Sequence, residues 1–281
     1  MRFHLFGVPS PATNKCFNGM RGYAEIIETI SWGLTALGHS VTQASEPNSD
    51  AINIVFGGQI LGVEDQKRLR PDTIFYNLEQ MRGVGTYVRG EVRHYAQNFQ
   101  VWEYSAFNID AWRVIGTAFP VKLVPISFAP ILERIPKAAD QDIDVLMYGI
   151  TNEQRLSAFH AFGRSGLTSV FLCGIFGEGR DALISRAKTV VNVGFYKSRI
   201  FEVARVSYLM ANRKAVIADI QEDTALDPEM TGGFHQSSAA TLAADVRRFV
   251  SDDRLRSELE ERAFETISRR DIRATLRHAL S

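Results

Sequence analysis

The alternation of short apolar runs with segments of helical spacing constrains this chain more than any other feature. A strand covered on both faces is a continuous apolar run, and a helix that covers it carries apolar residues three and four positions apart. In the first half the runs predict strands over Arg2 to Val8, Val41 to Ala44, Ile52 to Phe56, Thr73 to Leu78, Val101 to Ser105 and Lys122 to Ile126. In the second half they predict Ile143 to Tyr148, Ser169 to Cys173, Thr189 to Val193 and Ala215 to Ile220. Tyr23 to Leu37 places Ile26, Ile27, Ile30, Leu34 and Leu37 at helical spacing, and Gly38 is suited to end that helix. Further helices are expected over Glu153 to Phe162, Arg180 to Arg186, Ile200 to Ala211, and roughly residues 238–250 and 252–268. Residues 9–22, broken by Pro, Asn and Gly, read as a loop. Residues 128–142, with two prolines and several charges, interrupt the series and read as a linker. The expectation is an α/β fold: two Rossmann-like αβα domains, residues 1–130 and 140–281, with a cleft between them and right-handed crossovers. The last helix is free to cross back to the first domain.

Composition excludes several classes. The 281 residues carry 32 Lys and Arg against 32 Asp and Glu, so bulk charge steers the chain toward neither nucleic acid nor an anionic membrane. Cys16 and Cys173 stand far apart, which gives no disulfide framework and no zinc spacing. The six histidines form no HExxH cluster. No run approaches the ~20 apolar residues that span a bilayer, and the N-terminus reads as a first strand rather than a secretion signal, so a cytoplasmic location is expected. A P-loop sequence is absent. The glycine-rich stretch Gly174 to Gly179 lacks the GxGxxG spacing, and no serine sits in a GxSxG turn.

In open parallel sheets ligands bind beyond the carboxyl ends of the strands. In the second half those ends carry Gly149, Ile150, Thr151 and Asn152, then Gly174 to Gly177, then Gly194 to Arg199, then Asp219. Glycines let backbone amides approach a phosphate, and helix starts favour anions. Tyr196, Lys197, Ser198 and Arg199 lead into a predicted helix, where the cations could hold a diphosphate; an ordinary polar helix entry is the other reading. Arg155, in the helix after Gly149, is a second candidate for phosphate charge or else a surface ion pair. Phe176 follows a strand and could stack on a base or fill the core.

In the first half, Glu79 follows the strand ending at Leu78. A carboxylate there could act as general base toward an acceptor hydroxyl, or serve as a hydrogen-bond hub with Asn77 and Gln80. Asn77, and Tyr104, Ser105 and Asn108 after the next strand, could line the acceptor side. Gly22, with Met20 and Arg21, precedes the first long helix and could present amides to a phosphate or an acceptor.

Several segments taken together resemble the two-Rossmann-domain (GT-B) glycosyltransferases, in particular a bacterial branch related to their group 1. The segments are TIFYNLEQ (73–80), VWEYSAFN (101–108), DVLMYGITNEQR (144–155), IFEVARVSYLMANRKAVIAD (200–219) and the C-terminal helices around SDDRLRSEL (251–259). GHSV at 38–41 is similar to the GHxV of their N-terminal domains. The resemblance implies transfer of a sugar from a nucleotide diphosphate sugar to an acceptor that is a glycan, lipid, protein or small molecule. It implies no cofactor beyond that donor and no bound metal. It also assigns Glu202 to the ribose hydroxyls, with a carboxylate favoured by a helix start as the plain alternative. The turn Ala211 to Lys214 lacks the Gly and Pro that the family has there. That departure weighs for the rival reading, a non-catalytic nucleotide- or glycan-binding protein that keeps the fold.

Overall fold

Ile54, Val55 and Phe56 expose no surface, as a strand covered on both faces requires. They belong to one of two parallel sheets in the computed structural model, which describes residues 1–9, 19–81, 88–195 and 200–281. The described residues divide into two compact units, one of residues 1–9, 19–129 and Asp271–Ser281, the other of Pro130–Arg270.

The first unit contains β1 (Arg2–Gly7), α1 (Gly19–Gly22), α2 (Ala24–Ala36), β2 (Ser40–Ala44), β3 (Ile52–Phe56), α3 (Val63–Gln66), β4 (Ile74–Asn77), α4 (Gly90–Asn98), β5 (Gln100–Glu103), α5 (Ile109–Ile115) and β6 (Lys122–Leu123). Its six strands run parallel in the order β2-β1-β3-β4-β5-β6. Phe75, Tyr95, Val101 and Trp112 pack one face of this sheet, with the Phe75 and Tyr95 rings stacked at 4.5 Å. The second unit contains β7 (Ile143–Tyr148), α6 (Glu153–Arg164), β8 (Ser169–Leu172), α7 (Glu178–Arg186), β9 (Ala187–Val193), α8 (Val203–Ala211), β10 (Ala215–Asp219), β11 (His235–Ser237), α9 (Leu242–Ser251) and α10 (Asp253–Ser268). Its five strands are also parallel, in the order β11-β10-β9-β7-β8. Val145, Met147, Phe162, Ile217, Val246 and Leu259 form its core. Both are doubly wound Rossmann-like sheets. The winding reverses between β1 and β3 in the first and between β7 and β9 in the second, and such a reversal opens a crevice at the carboxyl ends of those strands.

The final helix, α11 (Ile272–Leu280), belongs to the first unit, so the expected domain of residues 140–281 stops at Arg270. Packing explains the difference. α11 lies on α2 where Gly33 has no side chain; a Cβ there would sit 2.7 Å from Leu276 Cδ1. The Arg273 guanidinium lies 5.6 Å from the centre of the Trp32 ring, and Ile272 N–H donates to Phe128 O at 3.0 Å. The helix expected from Ile200 begins at Val203 instead. Phe201 N–H donates to Ala225 O at 3.1 Å and Ile200 bridges Ala225, which holds these residues extended. Residues 19–22, expected in a loop, form the short α1.

Candidate functional site

The switch point of the second unit gathers a charged network. Asn152 caps α6, its side chain accepting from Arg155 N–H at 2.8 Å, and this fixes Arg155 one turn into the helix. The Arg155 side chain turns inward and is buried. Its Nε donates to Val193 O at 2.7 Å, Nη1 to Ile150 O at 2.8 Å and Nη2 to Glu202 Oε1 at 2.7 Å. Glu202 is the N-cap residue of α8 and also pairs, through Oε2, with Arg205 Nη1 at 2.7 Å. Phe195 N–H donates to Glu202 Oε1 at 3.2 Å, so the same carboxylate pins the chain leaving β9.

Gly149 makes this approach possible. Its φ is +126°, and a Cβ on it would sit 2.7 Å from Arg205 Nη2 and 3.0 Å from Arg155 Nη1. The bare α-carbon therefore faces two guanidiniums, a role that the phosphate-centred reading of this glycine did not contain. Further cations lie nearby. Arg205 and Arg180 lie 5.1 Å and 5.9 Å from the centre of the Tyr148 ring, and Arg180 and Arg134 lie 4.8 Å and 5.4 Å from that of Tyr208. Asp181 pairs with Arg180 at 2.7 Å and accepts from Tyr208 Oη at 2.7 Å. Burial, with the Asp181 carboxylate beside it, pushes the Tyr208 phenol up. Among the described residues, Arg155 and Arg205 thus meet Glu202 at the carboxyl edge of β7, with Arg180 beside the Tyr148 ring, and fixed cations at such an edge suit an anion. On the α6 and α9 side, a cavity of about 620 Å³ is lined by Asn152, Gln154, Ser157, Phe195, Asp219 and Leu242 among others. Gln154 and Gln221 each donate to Asp219 at 2.8 Å.

Among the predicted site residues of this unit, Gly149, Asn152, Arg155 and Glu202 come together. Thr151 is exposed beside them, and Phe176 is half-buried in the turn after β8. Tyr196, Lys197, Ser198 and Arg199 lie outside the described residues. Arg205, Arg180 and Arg134 were not singled out by sequence; only the spacing of Glu202 and Arg205, three apart at a helix start, signalled their pairing. In the turn without glycine, Arg213 has φ +49°, in the left-handed region that glycine favours. Its guanidinium lies 3.6 Å from the centre of the Phe264 ring and pairs with Glu133, contacts that hold the unusual conformation in place.

In the first unit, Glu79 is half-buried after β4, and its Oε1 accepts from Tyr23 Oη at 2.8 Å and Gln59 Nε2 at 2.9 Å. Gly22 is exposed next to Tyr23. Asn77, Tyr104 and Asn108, expected to line the acceptor side, are buried instead. The amides of Asn77 and Asn108 are committed to Glu103, which ends β5 and which the sequence reading passed over. The hub expected around Glu79 is therefore centred on Glu103. Burial pushes the Glu103 carboxyl up to about 7, against the pull of four hydrogen bonds from Trp112, Asn77, Ser105 and Asn108. Among the described residues no His, Cys, Asp and Glu cluster could hold a metal ion, and no helix is long and apolar enough to cross a membrane.

No protein-family model matches the chain, and no curated protein matches it in sequence. Solved structures do match. TarM of S. aureus, in a complex whose components include UDP, superposes with a TM-score of 0.61 at 11% identity, over 82% of this chain and 55% of its own; this chain is thus far shorter than TarM. WaaG, a glycosyltransferase of lipopolysaccharide biosynthesis, matches with a TM-score of 0.60 at 10% identity, over 99% of this chain and 98% of its own. The T4 phage enzyme BGT, in complex with its UDP-glucose substrate, matches with a TM-score of 0.59 at 12% identity, over 100% of this chain and 97% of its own. The chain has the GT-B fold, the two Rossmann-like domains of these glycosyltransferases.

Proposed function

We propose that the protein is a glycosyltransferase that moves a sugar from a nucleotide diphosphate sugar to an acceptor hydroxyl. The observation that carries this reading is the pairing of Glu202 with Arg155 and Arg205 against the bare α-carbon of Gly149, at the switch point of the second unit. Arg205, braced by Glu202 and by the Tyr148 ring, meets the diphosphate, with Arg180 also at that ring, and the sequence assigns Lys197 and Arg199 to the same charge. Fixed cations stabilise the nucleoside diphosphate as it leaves with growing negative charge. Arg155, enclosed by protein partners, acts through Glu202, which it orients toward the ribose hydroxyls. Phe176 stacks on the base. The cavity beside Asp219 and Gln154, lined by amides and a carboxylate, suits a neutral hexosyl group, and its volume falls within the ~300–1,000 Å³ of ligand pockets. In the first unit Glu79 is the general base. Tyr23 and Gln59 both bind its Oε1, which directs Oε2 toward the acceptor proton. Guanidiniums rather than a metal ion meet the leaving charge, so a chelator should leave turnover unchanged.

Calorimetry with UDP tests the donor site. The wild type should bind, and Glu202→Ala and Arg205→Ala should each lose ~10- to 100-fold in affinity, the worth of one charge-assisted hydrogen bond. Unchanged affinity in both variants, or no binding of any nucleoside diphosphate by the wild type, would overturn the assignment. Release of UDP from UDP-sugars separates transfer from the binding-only reading, and Glu79→Gln should lower it by ~100-fold or more while donor affinity holds.

A further inference from the structure

Glu103 has no exposed surface and receives four hydrogen bonds, two on each carboxylate oxygen. Oε1 accepts from Ser105 N–H at 2.8 Å and Asn108 Nδ2 at 2.9 Å; Oε2 accepts from Asn77 Nδ2 at 2.7 Å and Trp112 Nε1 at 2.7 Å. The donors come from β4, the turn after β5, and α5. None of these four atoms can accept a proton, so all four hydrogen bonds are made to the carboxylate rather than to the acid. An acceptor-only group also decides which way each asparagine amide points. With both Nδ2 atoms on Glu103, both Oδ1 atoms face the segment after β4. There Asn77 Oδ1 accepts from Glu79 N–H at 3.3 Å, and Asn108 Oδ1 accepts from Met81 N–H at 2.7 Å. The same Nδ2 atoms also donate to Glu79 O, at 3.0 Å from Asn77 and 2.9 Å from Asn108. The backbone of Glu79 is thereby gripped at its N–H and its C=O by two amides whose orientation Glu103 sets. The titratable groups facing Glu103 are Tyr76 from β4 and Tyr95 from α4, with Glu79 itself beyond the amides.

We infer that Glu103 is a positioning residue: its carboxylate orients Asn77 and Asn108 so that they fix the backbone carrying Glu79. The catalytic half of this inference rests on Glu79 being the base. Glu103→Gln puts an amide NH₂ against donors that need an acceptor, so an asparagine must flip and let go of Glu79 or Met81. Glu103→Asp keeps the acceptor character on a shorter stem.

Hydrolysis of UDP-glucose and ¹⁵N NMR give two separate readouts. Glu103→Gln should lower kcat by about 10- to 100-fold with KM for UDP-glucose unchanged, and Glu103→Asp should restore part of the loss. In Glu103→Gln the side-chain amide signals of Asn77 and Asn108 and the backbone amides of Glu79 and Met81 should all move. If the Glu79 and Met81 amides stay in place, the positioning inference is overturned. Full turnover in Glu79→Gln would instead remove the base assignment, whatever the Glu103 variant does. The wild type gives a reading that needs no variant: on acidification through about pH 7, the Trp112 indole N–H and the Glu79 amide should shift together. Movement of one without the other also overturns the inference.

Discussion

Each unit holds a carboxylate at the carboxyl edge of its sheet, and the two are kept there by opposite means. Glu202 in the second unit meets two guanidiniums, which are always charged. Glu103 in the first unit meets only neutral donors: two amides, an indole and a backbone N–H. Opposite charges cancel Glu202 electrostatically and tie three segments of backbone into one clamp. Neutral donors satisfy the Glu103 oxygens but do not repay the loss of water, so its carboxyl holds its proton to a higher pH. The first arrangement suits a place where a ligand's charge must be balanced. The second suits a place where orientation matters, at a cost that depends on pH.

Four measurements sharpen or break this contrast. The three tryptophans, Trp32, Trp102 and Trp112, all belong to the first unit, so their fluorescence follows that unit while circular dichroism follows both. The largest effect should come from Arg155→Ala, which strips a buried pair of one partner and two carbonyls of their donors. A loss of about 3–5 kcal/mol is expected. It should appear in the dichroism transition and spare the fluorescence transition; a loss below ~1 kcal/mol would show that the clamp is not structural.

Glu103 comes next. Its folded-state pKa of about 7 lies above the ordinary 4.5, so the folded protein binds its proton more tightly than the unfolded chain. That stabilisation is fully present below pH 4.5 and is lost as pH rises through about 7. The difference amounts to about 3 kcal/mol. Urea melts followed by fluorescence should therefore show wild-type stability falling over this range relative to Glu103→Gln. Parallel pH profiles for the two proteins would mean that Glu103 does not titrate there.

Arg205→Lys is a smaller change. It keeps the charge beside Glu202 but removes the planar group from the Tyr148 ring, and should cost ~1 kcal/mol of second-unit stability. A neutral outcome would mean that charge alone holds Glu202. Least of all should follow from Arg254→Ala, whose exposed partner Glu258 lies four residues along α10; both transitions should stay where they are.

The elements that were legible in the sequence are those whose local pattern and burial agree. Ile52–Phe56 and Ile143–Tyr148 are apolar runs broken only by Asn53 and Asp144, and fold as β3 and β7 with the expected boundaries. β11 is three residues, His-Gln-Ser, and owes its conformation to pairing with β10, which no local pattern reveals. α11 has Ile272, Leu276 and Ala279 on one face behind an Asp271 cap, a readable helix, but its partner is Gly33, far back in the chain. The site divides in the same way. Asn152 and Arg155 were singled out because they follow a strand end and open a helix, and Glu202 because its segment resembles the family. Glu103 also ends a strand, yet it read as an ordinary polar terminus, because its burial depends on Asn77, Asn108 and Trp112 arriving from other elements. The cations at Tyr148 and Tyr208 escaped notice for the same reason: Arg134, Arg180 and Arg205 come from three separate segments.

The return of α11 to α2 bears on the order in which the protein folds. The chain leaves the first unit after Ala129 and re-enters at Asp271, where Phe128 and Asp271 form a bridge. Closing that bridge across an unstructured loop of roughly 140 residues costs about 4 kcal/mol of chain entropy. Once Pro130–Arg270 has folded, its two ends no longer roam and most of that cost is gone. Refolding should therefore be sequential, with the Arg273 contact to Trp32 forming late. Stopped-flow fluorescence of a variant that retains Trp32 alone should lag behind the dichroism signal. Substitutions that slow the folding of Pro130–Arg270 should lengthen the lag, although they touch nothing near the tryptophan.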